Sequence, residues 1–173
     1  MTEQTDQTAV TAAKLGAEAP QFTITRVFDA PRETVWRAWT DPDEAPFWMH
    51  PHGLTTPREQ VELDVRPGGR YRYTMVTADG TAYPTAGTYL EVTEPSRLVF
   101  TWGSPDDADE RMPVITVDLA EHGDAGRQTL QTFHLVGIAG APGDDNVHDG
   151  WTEAFEELDA HLEGMSDGET EPR

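Results

Sequence analysis

The last segment of helical length constrains the fold more than any other part of the sequence. Four large apolar side chains in residues 144–164 recur on a single helical face: Trp151, Phe155, Leu158 and Leu162. Acidic side chains fill most of the remaining helix surface. Because so much aromatic surface is costly to leave in water, the rest of the chain must supply a surface that covers it. Asp144 or Asp145 can cap the start of this helix, and Gly164 can end it.

Most of the chain before that helix alternates between apolar and polar residues, a pattern typical of half-buried antiparallel strands. The alternation runs through 22–28, 61–65, 71–75, 90–92, 98–102, 115–119 and 130–136. Turn residues separate the strands, as in Pro67-Gly68-Gly69 and Asp79-Gly80. A short helix follows the first strand, with Pro31 at its first position and Asp41-Pro42 as its stop. Strands together in one sheet, with helices set apart from them, predict an α+β fold.

The large side chains mark one domain. All 6 Phe, 5 Trp and 4 Tyr residues fall within residues 21–164. Residues 1–20 are rich in Thr, Ala, Gln and Glu, and residues 165–173 are similar in character. Segments with so few large apolar residues cannot bury enough surface to fold alone. We therefore predict a domain over 21–164 between two disordered tails, 1–20 and 165–173.

The charge balance excludes some partners. The chain of 173 residues carries 12 Lys+Arg against 32 Asp+Glu, a net charge of −20, and has no cysteine. This charge disfavours nucleic acid as a partner, and the absence of cysteine rules out disulfides and thiolate metal sites.

The sequence shows neither a signal peptide nor a membrane-spanning segment, so we expect a cytoplasmic protein without membrane insertion. Lys14 is the only lysine, which fits either a G+C-rich genome or adaptation to high salt.

The order of elements and four sequence stretches resemble the START-like (SRPBCC, helix-grip) superfamily. The stretches are RVFDAPRETVWRAWTDP, VRPGGRYRY, GTYLEVTEPSRLVFTW and the helix introduced by Gly150-Trp151. Within that superfamily the chain looks like a small single-domain member of the family of the activator of the ninety-kilodalton heat-shock chaperone ATPase. It differs in having Phe47-Trp48, after Pro46, where many members carry adjacent tryptophans. The resemblance implies a curved antiparallel sheet of six to seven strands wrapped around the C-terminal helix.

The resemblance also implies a gap between sheet and helix that often holds an apolar ligand in this superfamily. The candidate cavity residues are Trp39, Trp48, Tyr71, Tyr73, Met75, Leu90, Phe100, Trp102, Ile115, Val117, His134, Trp151 and Phe155. The alternative that any one of them is ordinary core stays open. Tyrosine and tryptophan favour a cavity, because their polar tips need a partner when they are buried.

Histidines and carboxylates give no further site. His50 and His52 flank Pro51, and His148 opens the last helix, but this spacing matches no standard zinc signature. No nucleophile or phosphate-binding motif is present, so we predict no catalytic residues, no metal and no cofactor.

Three functional hypotheses remain. The first is non-catalytic binding of a small hydrophobic ligand between the sheet and the C-terminal helix, in a stress-response setting. The second is a protein-interaction module that modulates a chaperone, with the acidic helix face as a docking surface. The third is a cyclase or hydrolase for an aromatic or polyketide-like substrate. The sequence is compatible with a monomer or a homodimer.

Overall fold

The described part of the chain, residues 19–170 of a computed structural model, contains one seven-stranded sheet and two α-helices. The strands are β1 (Gln21–Phe28), β2 (Glu62–Leu63), β3 (Arg70–Val76), β4 (Ala82–Thr93), β5 (Arg97–Thr101), β6 (Val114–His122) and β7 (Gln128–Val136). The helices are α1 (Arg32–Thr40) and α2 (Val147–Thr170). Short 3-10 turns lie at Ala45–Phe47, Arg58–Gln60, Asp109–Arg111 and Asp124–Gly126. The predicted α+β class is confirmed.

Proline residues set both ends of α1. Pro31 precedes the first helical residue, and its carbonyl accepts hydrogen bonds from the amides of Thr34 and Val35 at 2.9 and 3.1 Å. Asp41 is extended because it precedes Pro42, and the helix ends there. The predicted apolar stripe of α1 is buried: Val35, Trp36, Ala38 and Trp39.

The sheet is antiparallel throughout, in the order β1-β7-β6-β5-β4-β3-β2. The first and last strands are therefore neighbours, and Ile24 of β1 pairs with Phe133 of β7. Phe133 in turn pairs with Val117 of β6, which sets three apolar side chains side by side on one face. This inner face of the curved sheet packs on the helices, as predicted.

A β-bulge in β4 overturns the prediction for Leu90. The pairs Tyr89↔Phe100 and Val92↔Leu98 flank the bulge, so β4 has one residue more than β5 between them. The extra residue reverses the alternation, and Tyr89 is buried in the core instead of Leu90, which is only partly buried. Leu90 therefore does not face the gap between the sheet and α2.

Gly87 holds β3, β4 and β5 in close approach. A Cβ atom at this position would lie 2.0 Å from the carbonyl oxygen of Thr101 and 2.7 Å from the ring of Tyr71. The Tyr71 ring covers the glycine, and its hydroxyl donates a hydrogen bond to the same Thr101 oxygen at 2.6 Å. Only glycine fits here, and the tyrosine replaces the packing that a side chain would provide.

Helix α2 supplies the other half of the core. Its four predicted apolar residues are buried: Trp151, Phe155, Leu158 and Leu162. Phe155 meets Phe133 of the sheet edge-on at a centroid distance of 5.2 Å, and Trp151 lies 4.8 Å from the same ring. Asp144 caps the helix, since its carboxylate accepts from the amides of Asn146 and Asp149 at 2.9 and 3.1 Å. No helix within residues 19–170 is long and apolar enough to cross a membrane.

The end of α2 differs from the prediction. The helix continues through Gly164 to Thr170, so residues 165–170 of the predicted tail are helical. Gly164 lies within the helix, and its φ is not in the left-handed region that a glycine stop would use. Met165 packs against the core, which extends the buried face by one further residue. Residues 171–173 and residues 1–18 of the predicted tails lie outside the described part of the chain.

Truncation of the apolar face of α2 should destabilise the fold strongly. Phe155 is fully buried, and we expect Phe155→Ala to lower the free energy of unfolding by about 3–5 kcal/mol. Glu163→Ala, on the exposed side of the same helix, should change it by less than about 0.5 kcal/mol. Urea denaturation of the two variants measures both values, and equal losses would contradict the assignment of the helix faces.

Candidate ligand pocket between the sheet and α2

A pocket of about 200 Å³ opens between the sheet and the first turns of α2. Three parts of the chain form its walls: the ends of β3 and β5, the loop that follows the 3-10 turn Ala45–Phe47, and α2. The lining residues are Met49, His50, Pro51, Tyr73, Met75, Trp102, Asn146, Val147, Gly150, Trp151 and Ala154. Most of these side chains are apolar, so the pocket favours an apolar occupant.

Aromatic side chains form the sheet side of the pocket. The rings of Trp102 and Trp151 lie 5.7 Å apart, and Trp102 Nε1 donates a hydrogen bond to the Tyr73 hydroxyl oxygen at 3.2 Å. Burial raises the pKa of Tyr73 to about 12, against the opposing effect of hydrogen bonds to Trp102 and Thr85. The phenol is therefore neutral at pH 7, and its hydroxyl is held in place.

Small residues on α2 leave the space that the pocket occupies. Gly150 and Ala154 are one helical turn apart on the side of α2 that faces the pocket. A Cβ atom at Gly150 would meet no atom within 4 Å. The neighbouring Trp151 fills the core, so the step from large to small side chains marks the boundary between core and pocket.

The third wall is the loop 48–52, which is anchored from both ends. Trp48 is fully buried, stands edge-on to Trp39 at 4.7 Å, and donates from Nε1 to the carbonyl of Ala38 at 2.9 Å. At the other end, three carboxylates of α2 hold His52. Between these anchors, Met49, His50 and Pro51 face the pocket.

His52 is tied to α2 by hydrogen bonds from its ring and its backbone. Nδ1 and Nε2 lie 2.8 Å from carboxylate oxygens of Glu157 and Glu156, and the backbone amide donates to Glu153 at 3.0 Å. Because each ring nitrogen faces a carboxylate, this geometry favours the cationic form of the ring, in which both nitrogens carry hydrogen. The hydrogen bonds to Glu156 and then Glu157 raise the pKa of His52 above its ordinary value.

A second histidine joins the same two elements further along α2. His161 Nε2 lies 2.6 Å from Glu44, and the His161 ring stacks on Phe47 at a centroid distance of 4.6 Å. Both side chains of this contact are largely buried. The segment that leads from α1 to the pocket is therefore fixed to α2 at two places.

His50 is the buried polar group of the pocket wall, with a relative exposure of 9%. Thr56 donates its single hydroxyl hydrogen to the Met49 carbonyl at 2.9 Å, and its oxygen lies 3.3 Å from His50 Nδ1. The hydroxyl can therefore only accept from His50, which places the ring hydrogen on Nδ1 and leaves Nε2 with a lone pair. Burial lowers the pKa of His50, with Glu157 opposing and His52 adding to this effect.

The predicted cavity residues separate into three groups and two exceptions. Those that line the pocket are Tyr73, Met75, Trp102 and Trp151. A narrow void of about 20 Å³ deeper in the core is lined, together with Tyr73 and Trp151, by Trp39, Tyr71 and Phe100. The third group is packed in the core and lines neither the pocket nor the narrow void: Trp48, Ile115, Val117 and Phe155. Leu90 and His134 lie elsewhere.

His134 lies on the other face of the sheet, contrary to the prediction. In β7 the buried Phe133 and Leu135 face the helices, so His134 between them points away. It lies beside Thr23 of β1, and its Nε2 contacts the side-chain oxygen of Gln21 at 2.9 Å. Burial lowers the pKa of His134, but the residue takes no part in the pocket.

Sequence reasoning missed the loop wall and the small residues of α2. Gly150 and Ala154 could have been recognised, because they follow each other at four-residue spacing beside Trp151. No local pattern distinguishes Met49 and Pro51, whose positions depend on contacts distant in sequence. Among the residues that the structure describes, no group of three or more His, Asp or Glu side chains is placed to hold a metal ion.

A curved antiparallel sheet closed on a C-terminal helix, with a pocket between them, defines a START-like helix-grip domain. The chain belongs to the family described as "Activator of Hsp90 ATPase homolog 1-like protein", whose sequence profile matches residues 29–163. No curated protein matches this chain in sequence.

Solved structures of bacterial and eukaryotic proteins share the fold. A protein from Mycobacterium smegmatis is 28% identical, with 84% of this chain and 91% of that chain covered at a TM-score of 0.67. An AHSA1 protein from Silicibacter pomeroyi is 26% identical, with coverages of 82% and 96% and a TM-score of 0.64. An HSP90 activator from Plasmodium falciparum is 18% identical, with coverages of 83% and 96% and a TM-score of 0.60, and shows the likeness of fold alone.

The ion pairs of His52 predict a pH-dependent contribution to stability. Since its pKa is raised on folding, the contribution is fully present below the unfolded value of about 6.5 and is lost as pH rises through the folded pKa. We expect His52→Ala to lower the melting temperature by a few degrees near pH 6 and to have a smaller effect near pH 9.

The matched control is His122→Ala, at the exposed end of β6. It should show no such pH-dependent difference in thermal denaturation. If the decrease in melting temperature of His52→Ala is independent of pH, the charge of the ring does not contribute to stability.

Proposed function

We propose that this protein binds a small, uncharged apolar molecule in the pocket between the sheet and α2 and does not transform it chemically. The observation that carries the proposal is a mainly apolar pocket of about 200 Å³ beside an otherwise closely packed aromatic core. An engineered protein cavity of about 150 Å³ lined by apolar side chains binds benzene. Drug-sized ligands need about 300–1,000 Å³, so the expected ligand has one or two rings.

The polar groups of the pocket also support an uncharged ligand. His50 and Tyr73 are held neutral near pH 7 by burial, and Asn146 carries no charge. A charged ligand would leave water without gaining an opposite charge, which is unfavourable in an apolar site. The net charge of −20 adds a long-range penalty for anions.

Binding without catalysis fits the pocket better than a cyclase or hydrolase. None of the described residues that line it is Ser, Thr, Asp, Glu, Lys or Arg. A nucleophile paired with a general base would therefore have to use His50 and Tyr73, and no hydrogen bond joins these two side chains. His50 and Tyr73 could hold a ligand, but they do not form such a pair with any lining residue.

A chaperone partner is the second candidate, and it rests on the family description. The structure lends less support to α2 as a docking surface for it, because several acids of that face are engaged within the chain. Glu156 and Glu157 contact His52, and Asp159 pairs with Arg26 at 3.0 Å. Sedimentation of the protein with an Hsp90-type chaperone tests this candidate directly, and complex formation would support it.

Filling the pocket should abolish ligand binding without loss of folding. Toluene, followed by amide shifts in two-dimensional NMR spectra, should bind the wild type with a dissociation constant between about 1 mM and about 1 μM. Gly150→Leu adds a side chain that starts in open space at the pocket, and should weaken binding at least about tenfold.

Gly164→Leu is the matched control. A Cβ atom there also meets nothing within 4 Å, but Gly164 does not line the pocket. Both substitutions exchange glycine for a better helix former, so both variants should melt at or above the wild-type temperature. The proposal fails if toluene does not bind the wild type saturably, or if it binds Gly150→Leu as well as Gly164→Leu.

A further inference from the structure

The pocket wall contains a hydrogen-bond acceptor on His50 that the protein leaves unused. His50 Nδ1 donates to Thr56, whose own hydrogen is committed to the Met49 carbonyl. His50 Nε2 therefore carries a lone pair, and it has no hydrogen-bond partner among the described residues. Because His50 lines the pocket and Nε2 is not sealed within the protein, a ligand that carries a hydrogen-bond donor can reach this acceptor.

Neither Trp102 nor Tyr73 supplies that donor. Trp102 Nε1 is committed to the Tyr73 hydroxyl at 3.2 Å, and that hydroxyl also bonds to Thr85. The indole rings of Trp102 and Trp151, 5.7 Å apart, and the thioethers of Met49 and Met75 form the rest of the wall. Such surfaces favour a planar aromatic ring.

We propose that the ligand is a neutral aromatic compound that carries one hydrogen-bond donor, such as the hydroxyl of a phenol, and that His50 Nε2 accepts this hydrogen bond. This inference rests on the proposed function and names the class of ligand for the same pocket. A carboxylate does not fit, because it has no hydrogen to donate and would meet a lone pair. An aromatic hydrocarbon fits the pocket but leaves Nε2 without a partner.

Phenol and anisole test the donor directly. Both carry an oxygen on one aromatic ring, but only phenol has a hydrogen to donate. The measured quantity is the ratio of the affinity for phenol to the affinity for anisole. This ratio should be about tenfold higher in the wild type than in His50→Leu, which is the effect of one buried hydrogen bond. His134→Leu removes the histidine on the other face of the sheet and should leave the ratio at its wild-type value. Toluene binding, measured in parallel, reports whether each variant retains the pocket.

Protonation provides a second test that needs no substitution. As pH falls below about 6.5 and passes the lowered pKa of His50, Nε2 gains a hydrogen and can no longer accept. The affinity for phenol should then fall while the affinity for toluene stays constant. The charged groups that act on His50 are Glu157 and His52. The same titration of His52→Ala shows whether the affinity for phenol still falls at low pH when His52 is absent.

The outcomes separate the two proposals. If neither toluene nor phenol binds the wild type, the proposed function is wrong and the inference falls with it. If both bind, but the ratio of phenol to anisole is the same in wild type and His50→Leu, the pocket function stands and the role of His50 is overturned. If His50→Leu no longer binds toluene, the pH titration of the wild type decides, and phenol affinity independent of pH would overturn the inference.

Discussion

The packing of Trp151 and Phe155 against the inner face of the sheet is the contact on which the rest of the structure depends. Both residues meet Phe133, at 4.8 and 5.2 Å, and Phe155 also meets Phe28 at 6.5 Å. Each large apolar side chain buried in this way contributes about 1.5–3 kcal/mol. This contact sets the distance of α2 from the sheet. Where it ends, at Gly150 and on the Ala154 side of the helix, the two surfaces separate and the pocket begins.

The periodic parts of the sequence predicted the architecture well, because side-chain periods of 2 and 3.6 report directly which face of a strand or helix is buried. The predictions were wrong where the period breaks or is the same on both faces of a strand. The bulge in β4 moves Tyr89 into the core instead of Leu90. In β7, one face includes Phe133 and the other includes Val136, so both contain apolar residues and alternation alone could not orient His134.

The loop wall of the pocket lies beyond the reach of such reasoning for a different reason. Its position is fixed by contacts with residues far away in the sequence, such as that of His52 with Glu157, 105 residues further on. Nothing in the local pattern around His50 indicates that Thr56 will direct its tautomer. The aromatic wall could therefore be predicted in part, whereas the place of His50 in the pocket wall could not.

Two histidines in this loop have opposite electrostatic roles, although only Pro51 separates them. His52 is exposed enough to stay hydrated and lies among three carboxylates, which favour its cationic form. His50 is buried against the pocket, which favours its neutral form, and the charge on His52 adds to that preference. The cation that fastens the loop to α2 thus also helps to keep the acceptor free. Burial disfavours a proton on His50, Glu157 opposes this effect and His52 adds to it, so the lowered pKa leaves His50 Nε2 able to accept a hydrogen bond near pH 7.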